Sequence, residues 1–122
     1  MFDIDHFKKI NDIYGHDIGD KVLRELCMIV KTELRETDIF ARWGGEEFMI
    51  LLPSTSVINA EELAYRLNKT VEDFSFIKDK VVTCSFGVTE FLYEDTIDTF
   101  TKRVDDALYK AKNEGRNTVR VL

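Results

Sequence analysis

The pair Gly44-Gly45, set between the apolar runs that begin at Ile39 and at Phe48, most constrains what this chain can become. Glycine tolerates positive φ, so a Gly-Gly dipeptide between two such runs predicts a β-hairpin over Asp38 to Leu52 with a primed turn. Beyond the turn side chains alternate, so Glu46, Phe48, Ile50 and Leu52 share one face while Glu47, Met49 and Leu51 share the other. Both faces carry apolar residues, which predicts a central strand covered on both sides. Two adjacent carboxylates entering such a strand are costly unless each is paired or bound to a metal. The alternative is an exposed hairpin tip with two solvated glutamates.

Around this hairpin the periodicity is clear. Met1 to Asp3 reads as the tail of a strand. Phe7, Ile10 and Tyr14 fall at helical spacing, and Gly15 supplies a stop. From Asp17 to Leu34 an apolar stripe runs through Val22, Leu23, Leu26, Ile29, Val30 and Leu34. Pro53 ends the second hairpin strand, and Ser54, Thr55 and Ser56 offer N-cap hydroxyls for a helix through Glu61, Leu63, Ala64, Leu67 and Val71. Val81 to Val88 predicts a buried strand, continuing towards Tyr93 after a bend at Gly87. Asp98 to Asn113 reads as a helix with Phe100, Val104, Ala107, Leu108 and Ala111 inward and Gly115 as its αL cap; Thr118 to Leu122 forms a last strand. Residues 1–122 thus make a single domain with a mixed sheet and helices packed against it.

Composition excludes several function classes. Seventeen Lys and Arg against 23 Asp and Glu give a net charge of −6, which argues against a nucleic-acid or anionic-membrane surface. The two cysteines, Cys27 and Cys84, lie in apolar helix and strand patterns and read as buried thiols of a reducing cytoplasm rather than a disulfide or zinc site. No apolar run nears the roughly 20 residues needed to span a bilayer. A soluble, cytoplasmic domain is expected.

Arg42-Trp43-Gly44-Gly45-Glu46-Glu47-Phe48 resembles the signature of the GGDEF domain, the family of bacterial diguanylate cyclases. Other family blocks occur in the family's order: Asp3-Ile4-Asp5-His6-Phe7-Lys8, Asn11-Asp12, Gly15-His16, Gly19-Asp20, Ser85-Phe86-Gly87-Val88, Ala107-Leu108-Tyr109-Lys110-Ala111-Lys112 and Gly115-Arg116-Asn117. The resemblance covers the whole chain, without the family's usual N-terminal helical block and part of its first strand. It implies a palm-like α/β (α+β) fold of nucleotidyl-cyclase type, with about five mostly antiparallel strands flanked by helices. It also implies condensation of two GTP into cyclic di-GMP by a homodimer of half-sites, arranged by an upstream sensor or dimerisation segment. The rivals are a non-enzymatic GTP- or cyclic di-GMP-binding module and an inactive fragment.

Carried over residue by residue, the resemblance implies that Asp3, the backbone carbonyl of Ile4 and Glu46 ligate Mg²⁺ or Mn²⁺, with Glu47 a partner in catalysis. The general base, Glu46 or metal-bound hydroxide, stays open. Oxygen ligands with retained waters and substrate phosphates suit such an ion. Asn11 and Asp20 would read guanine, whose N1-H and N2-H₂ donors a carboxylate and an amide can select. Backbone N–H groups near Phe7 and Lys8, the Lys8 side chain, Lys112 and Arg116 would gather the phosphates. Arg35-Glu36-Thr37-Asp38 is similar to the family's Arg-x-x-Asp inhibitory site for the product. Read structurally, Asp3 caps the next helix, Asn11 is a surface amide, Asp20 complements a helix N-terminus, Lys112 and Arg116 complement a helix C-terminus, and Arg35 is a helix-end arginine beside a strand-start acid.

Overall fold

The computed structural model covers residues 1–122 and runs β1 (Phe2–Ile4), α1 (Phe7–Tyr14), α2 (His16–Glu33), β2 (Ile39–Arg42), β3 (Glu47–Leu51), α3 (Val57–Asp73), β4 (Cys84–Val88), α4 (Ile97–Asn113) and β5 (Val119–Val121). The strands form one sheet in the order β2-β3-β1-β4-β5. All pairings are antiparallel except β4 with β5. This is the mixed, mostly antiparallel five-stranded sheet that the sequence predicts. Its central strand is β1, with Phe2 opposite both Phe48 and Phe86, and Asp3 opposite both Glu47 and Ser85.

Strand alternation then divides the domain into two chemistries. On one face Phe2 stacks against Phe40, Phe48 and Phe86 at centroid distances of 6.2, 5.2 and 4.8 Å. That face is covered by the apolar stripes of α2 (Val22, Leu26, Val30) and α3 (Ala64, Leu67, Val71), all buried. Each large side chain so buried contributes about 2 kcal/mol. Cys84 is buried and Cys27 half-buried, and both are free thiols.

The other face carries Asp3, Ser85 and Gly87 and receives α4. Here backbone meets backbone: a Cβ on Gly87 would lie 2.4 Å from the Leu108 nitrogen and 2.6 Å from the Val104 oxygen. Gly87 is therefore a mid-strand packing glycine and not the expected bend. The strand ends at Val88, and Phe91, Leu92 and Tyr93 are exposed. The segment after it is instead pinned by Arg103, which pairs with Asp95 at 2.5 Å and donates to Thr89 and to the Glu90 carbonyl. Val81 also lies outside β4 and is exposed.

Two features of the hairpin differ from expectation. Arg42 pairs with Phe48, so the connection is longer than two residues, and neither Gly44 nor Gly45 has positive φ. The loop is closed by bonds from the Trp43 and Gly44 N–H groups to the Glu47 carbonyl, and the Arg42 guanidinium donates to the Gly44 and Gly45 carbonyls. Nor is β3 covered on both sides, since Leu51 is 46% exposed. The helix that would have to cover it packs further along, on β4.

Helix ends follow local chemistry. Gly15, at φ 87°, ends α1 and precedes α2, whose first residue is His16. Ser56 caps α3 through its bond from the Asn59 N–H, and Thr96 with Thr99 forms a capping box on α4. At the far end of α4, Gly115 takes φ 110° and the Arg116 N–H reaches back to the Ala111 carbonyl.

Candidate active site

The acids of the sequence motif meet at the end of β1. The antiparallel register sets Asp3 directly across from Glu47, and the Ile4 N–H donates to the Glu46 carbonyl at 3.3 Å. Asp3 is buried, and Lys112 of α4 reaches over it with Nζ 2.8 Å from Oδ2. Burial pushes the Asp3 carboxyl above the usual aspartate range; Lys112 pulls it back, and the charges of Glu46 and Glu47 push it up again. Glu46 and Glu47 are both half-buried. Gly44 lies close beside them: a Cβ there would stand 3.1 Å from Glu47 Oε2, a tight approach to the end of a flexible side chain.

A second group lies where α1 crosses α2. A Cβ on Gly19 would fall 1.8 Å from Asn11 Oδ1 and 3.3 Å from the Phe7 ring, so the Asn11 amide rests directly on the α2 backbone. Asp20 follows on the next position and is exposed. Asn11 and Asp20, predicted as a pair, therefore belong to adjoining parts of one helix contact. Phe7 is buried, Lys8 is exposed, and no side chain caps the first turn of α1. Arg116 is exposed, and its guanidinium makes one long contact of 3.5 Å to the Lys112 carbonyl. Lys112 itself is committed to Asp3.

The Arg35 and Asp38 side chains form a separate unit between α2 and β2. Arg35 Nη2 lies 2.8 Å from Asp38 Oδ1, the Arg35 N–H donates to Oδ2 at 2.8 Å, and Nη2 also donates to Thr55 Oγ1 at 2.8 Å. The pairing holds the Asp38 carboxyl below its usual range and the guanidinium above its own. Both residues line a depression of about 250 Å³ together with Ser54, Asn59, Glu62 and Arg66.

Sequence reasoning passed over Asp5 and its partners. Asp5 is buried and accepts from Thr83 Oγ1, Ser85 Oγ and the Asn117 N–H. The signal was present: in Asp3-Ile4-Asp5 the two acids stand two apart where β1 ends, and extended alternation would put them on one face. The bracing of the hairpin loop by Arg42 was missed as well.

Residues 1–118 match the family described as diguanylate cyclase, GGDEF domain. The chain belongs to the GGDEF family. Among curated relatives of this GGDEF domain, diguanylate cyclase DgcM of Escherichia coli K12 is 45% identical over 119 residues, covering 98% of this chain and 29% of that protein. Response regulator PleD of Caulobacter vibrioides NA1000 is 42% identical over 125 residues, covering 98% of this chain and 28% of that protein. The chain thus spans about three tenths of the length of these relatives. Of solved structures, the active GGEEF domain of a Vibrio cholerae diguanylate cyclase superposes with TM-score 0.94 at 37% identity, over 98% of this chain and 78% of that one. The GGDEF domain of DgcB from Caulobacter crescentus, in complex with cyclic di-GMP, gives 0.93 at 29% identity, over 98% of this chain and 74% of that one. In this GGDEF domain no helix is long and apolar enough to cross a membrane.

Proposed function

We propose that this domain is the catalytic unit of a diguanylate cyclase, joining two GTP into cyclic di-GMP and releasing pyrophosphate. The observation that carries the reading is the register that sets Asp3 across from Glu47, beside Glu46 and under Lys112. Three carboxylates face one lysine at this strand end, with Asp3 buried and Glu46 and Glu47 half-buried, and the excess of negative charge favours a bound cation.

The residues fit Mg²⁺ or Mn²⁺. No three His, Cys, Asp or Glu side chains are grouped to hold an ion by themselves. Mg²⁺ does not ask for that, because it keeps several waters and takes one or two carboxylates plus substrate phosphates. Asp3, the Ile4 carbonyl and Glu46 would hold it, with Glu47 beside them, and when bound it supplies charge neutralisation at the α-phosphate.

Around that centre the chain's own residues orient GTP. Asn11 and Asp20 read the guanine edge, while Lys8, Lys112, Arg116 and the uncapped N–H groups at Phe7 and Lys8 hold the phosphates. In each condensation the 3′-hydroxyl oxygen of one GTP bonds to the α-phosphorus of the other, the bond to the β-phosphate oxygen breaks, and the hydroxyl proton passes to a base such as Glu46. Each domain presents one GTP, so two domains must face each other, arranged by a sensor or dimerising segment elsewhere in the protein. Product returning to Arg35 and Asp38 restrains the enzyme, since an arginine fork and a carboxylate together match a guanine edge and a phosphate.

The test is incubation of the domain with GTP and Mg²⁺ at high protein concentration, alone and fused to a dimerising coiled coil, with Glu46→Ala in parallel. Chromatography should show cyclic di-GMP formed by the parent and absent in the variant. No product from the fused dimer would overturn the reading.

A further inference from the structure

Asp5 is 6% exposed, yet its carboxylate is met by neutral donors. Oδ1 accepts from Ser85 Oγ at 2.6 Å, and Oδ2 accepts from Thr83 Oγ1 at 2.7 Å and from the Asn117 N–H at 3.0 Å. The first two donors flank and begin β4. The third belongs to the turn between α4 and β5, far along the chain.

That turn is strained. Arg116 and Asn117 have φ of 63° and 44°, the left-handed region that side chains disfavour and that persists only where surrounding structure fixes it. Asn117 is fixed from three sides. Besides its N–H bond to Asp5, its Oδ1 accepts from Asn68 Nδ2 at 3.0 Å and its Nδ2 donates to Glu72 Oε1 at 3.2 Å. Asn68 also donates to the Cys84 carbonyl at 3.0 Å, so α3, β4 and the turn close on the end of β1. Asp5 is the buried charged group of this web, with Glu72 at its more exposed edge, and bonds to an ionised acceptor are the stronger kind.

From this we infer that Asp5 is a positioning residue for the triphosphate of bound GTP, setting the strained Arg116-Asn117 turn, and so the Arg116 guanidinium, against the strand that carries Asp3. The inference rests on the reading of Arg116 as a phosphate ligand. Charge placement makes sense of the arrangement. A carboxylate saturated by hydroxyls and an amide does not capture Arg116, which stays exposed with a single 3.5 Å contact and is left for an anion.

The test compares binding of GTP and of guanosine, which lacks the phosphates, to the parent chain, to Asp5→Asn and to Thr83→Val by NMR titration, with thermal melts alongside. Asp5→Asn keeps the shape but presents donors to donors; it should weaken GTP about tenfold and guanosine less than about twofold. Thr83→Val removes one hydroxyl and should weaken GTP selectively by about threefold; it decides the matter if Asp5→Asn does not fold. Equal losses for both ligands would mark Asp5 as a fold staple and overturn the inference, as would no loss for either. A parent chain that binds no GTP would overturn the nucleotide reading itself, and this inference with it.

Discussion

Lys112 Nζ lies 2.8 Å from Asp3 Oδ2, an ion pair between the last turn of α4 and the central strand. It joins a residue predicted to hold phosphate to one predicted to hold a cation. Lys112 therefore sets a positive charge directly against the Asp3 carboxylate.

The balance at Asp3 predicts a trade of stability against activity. Its carboxyl is raised above the usual aspartate range, mainly by burial. The folded state then binds the proton more tightly than the unfolded one, so this group favours folding at low pH. That contribution is lost as pH rises from the unfolded value through the folded one. At pH 7 the ionised acid is a net cost, and Asp3→Asn should raise Tm by ~3 °C while abolishing turnover. Melts at pH 7 and pH 4 check it: the gain should shrink at the lower pH.

Gly19 predicts the opposite separation. A Cβ there displaces chiefly the Asn11 amide, which can swing away, and sits tightly at 3.3 Å from the Phe7 ring, while alanine is a better helix former by about 1 kcal/mol. Gly19→Ala should therefore melt no lower than the parent, yet lose its preference for GTP over ATP by about tenfold. Competition binding of the two nucleotides measures this; an unchanged ratio would remove Asn11 from guanine recognition.

At Gly87 the obstruction is backbone on both sides, with the Leu108 nitrogen 2.4 Å and the Val104 oxygen 2.6 Å from a new Cβ. Neither can move without shifting α4. Gly87→Ala should cost about 3 kcal/mol and lower Tm by about 10 °C. Because α4 carries Lys112, cyclase activity measured well below the new Tm should fall as well.

Arg35→Ala should weaken cyclic di-GMP binding at least about tenfold and also lower Tm by about 3 °C, since the Asp38 side chain is 2% exposed and would lose its guanidinium partner while keeping the Arg35 N–H. Asp38, now held below 3.8 by its partner, should return towards the ordinary range, which carbon NMR of its carboxyl can follow. A depressed folded value means that the stability this pair provides is present above 3.8 and lost as pH falls through the folded value. Calorimetry that finds cyclic di-GMP bound equally by the variant would remove the inhibitory site.

Much of this was legible in the sequence because the helices are amphipathic and well punctuated. Gly15, Ser56 and Gly115 stand where the chain stops or starts a helix. The stripe of Val22, Leu26 and Val30 faces inward as its spacing requires. The hairpin was legible as a hairpin but not as a turn type, since Gly44 and Gly45 serve close approach to Glu47 and loop carbonyls held by Arg42, and not positive φ. Val81 and Phe91 to Tyr93 look like strand by composition, yet no neighbouring strand offers them a ladder, and propensity yields to pairing. Of the candidate site, the acids and Arg35 with Asp38 were named by resemblance to the family's motifs, which are local in sequence. The Lys112 contact with Asp3 and the web around Asp5 join residues from opposite ends of the chain, which no local pattern encodes.

The alternation along β1 ties correct folding to function in a single event. Phe2 and Ile4 enter the core while Asp3, between them, faces α4. A slip of one residue would drive the carboxylate into the aromatic stack and turn two large apolar groups towards α4, where Asp3 now meets Lys112. Such a chain would lose its apolar core and its acidic strand end together, so no misregistered form keeps one without the other.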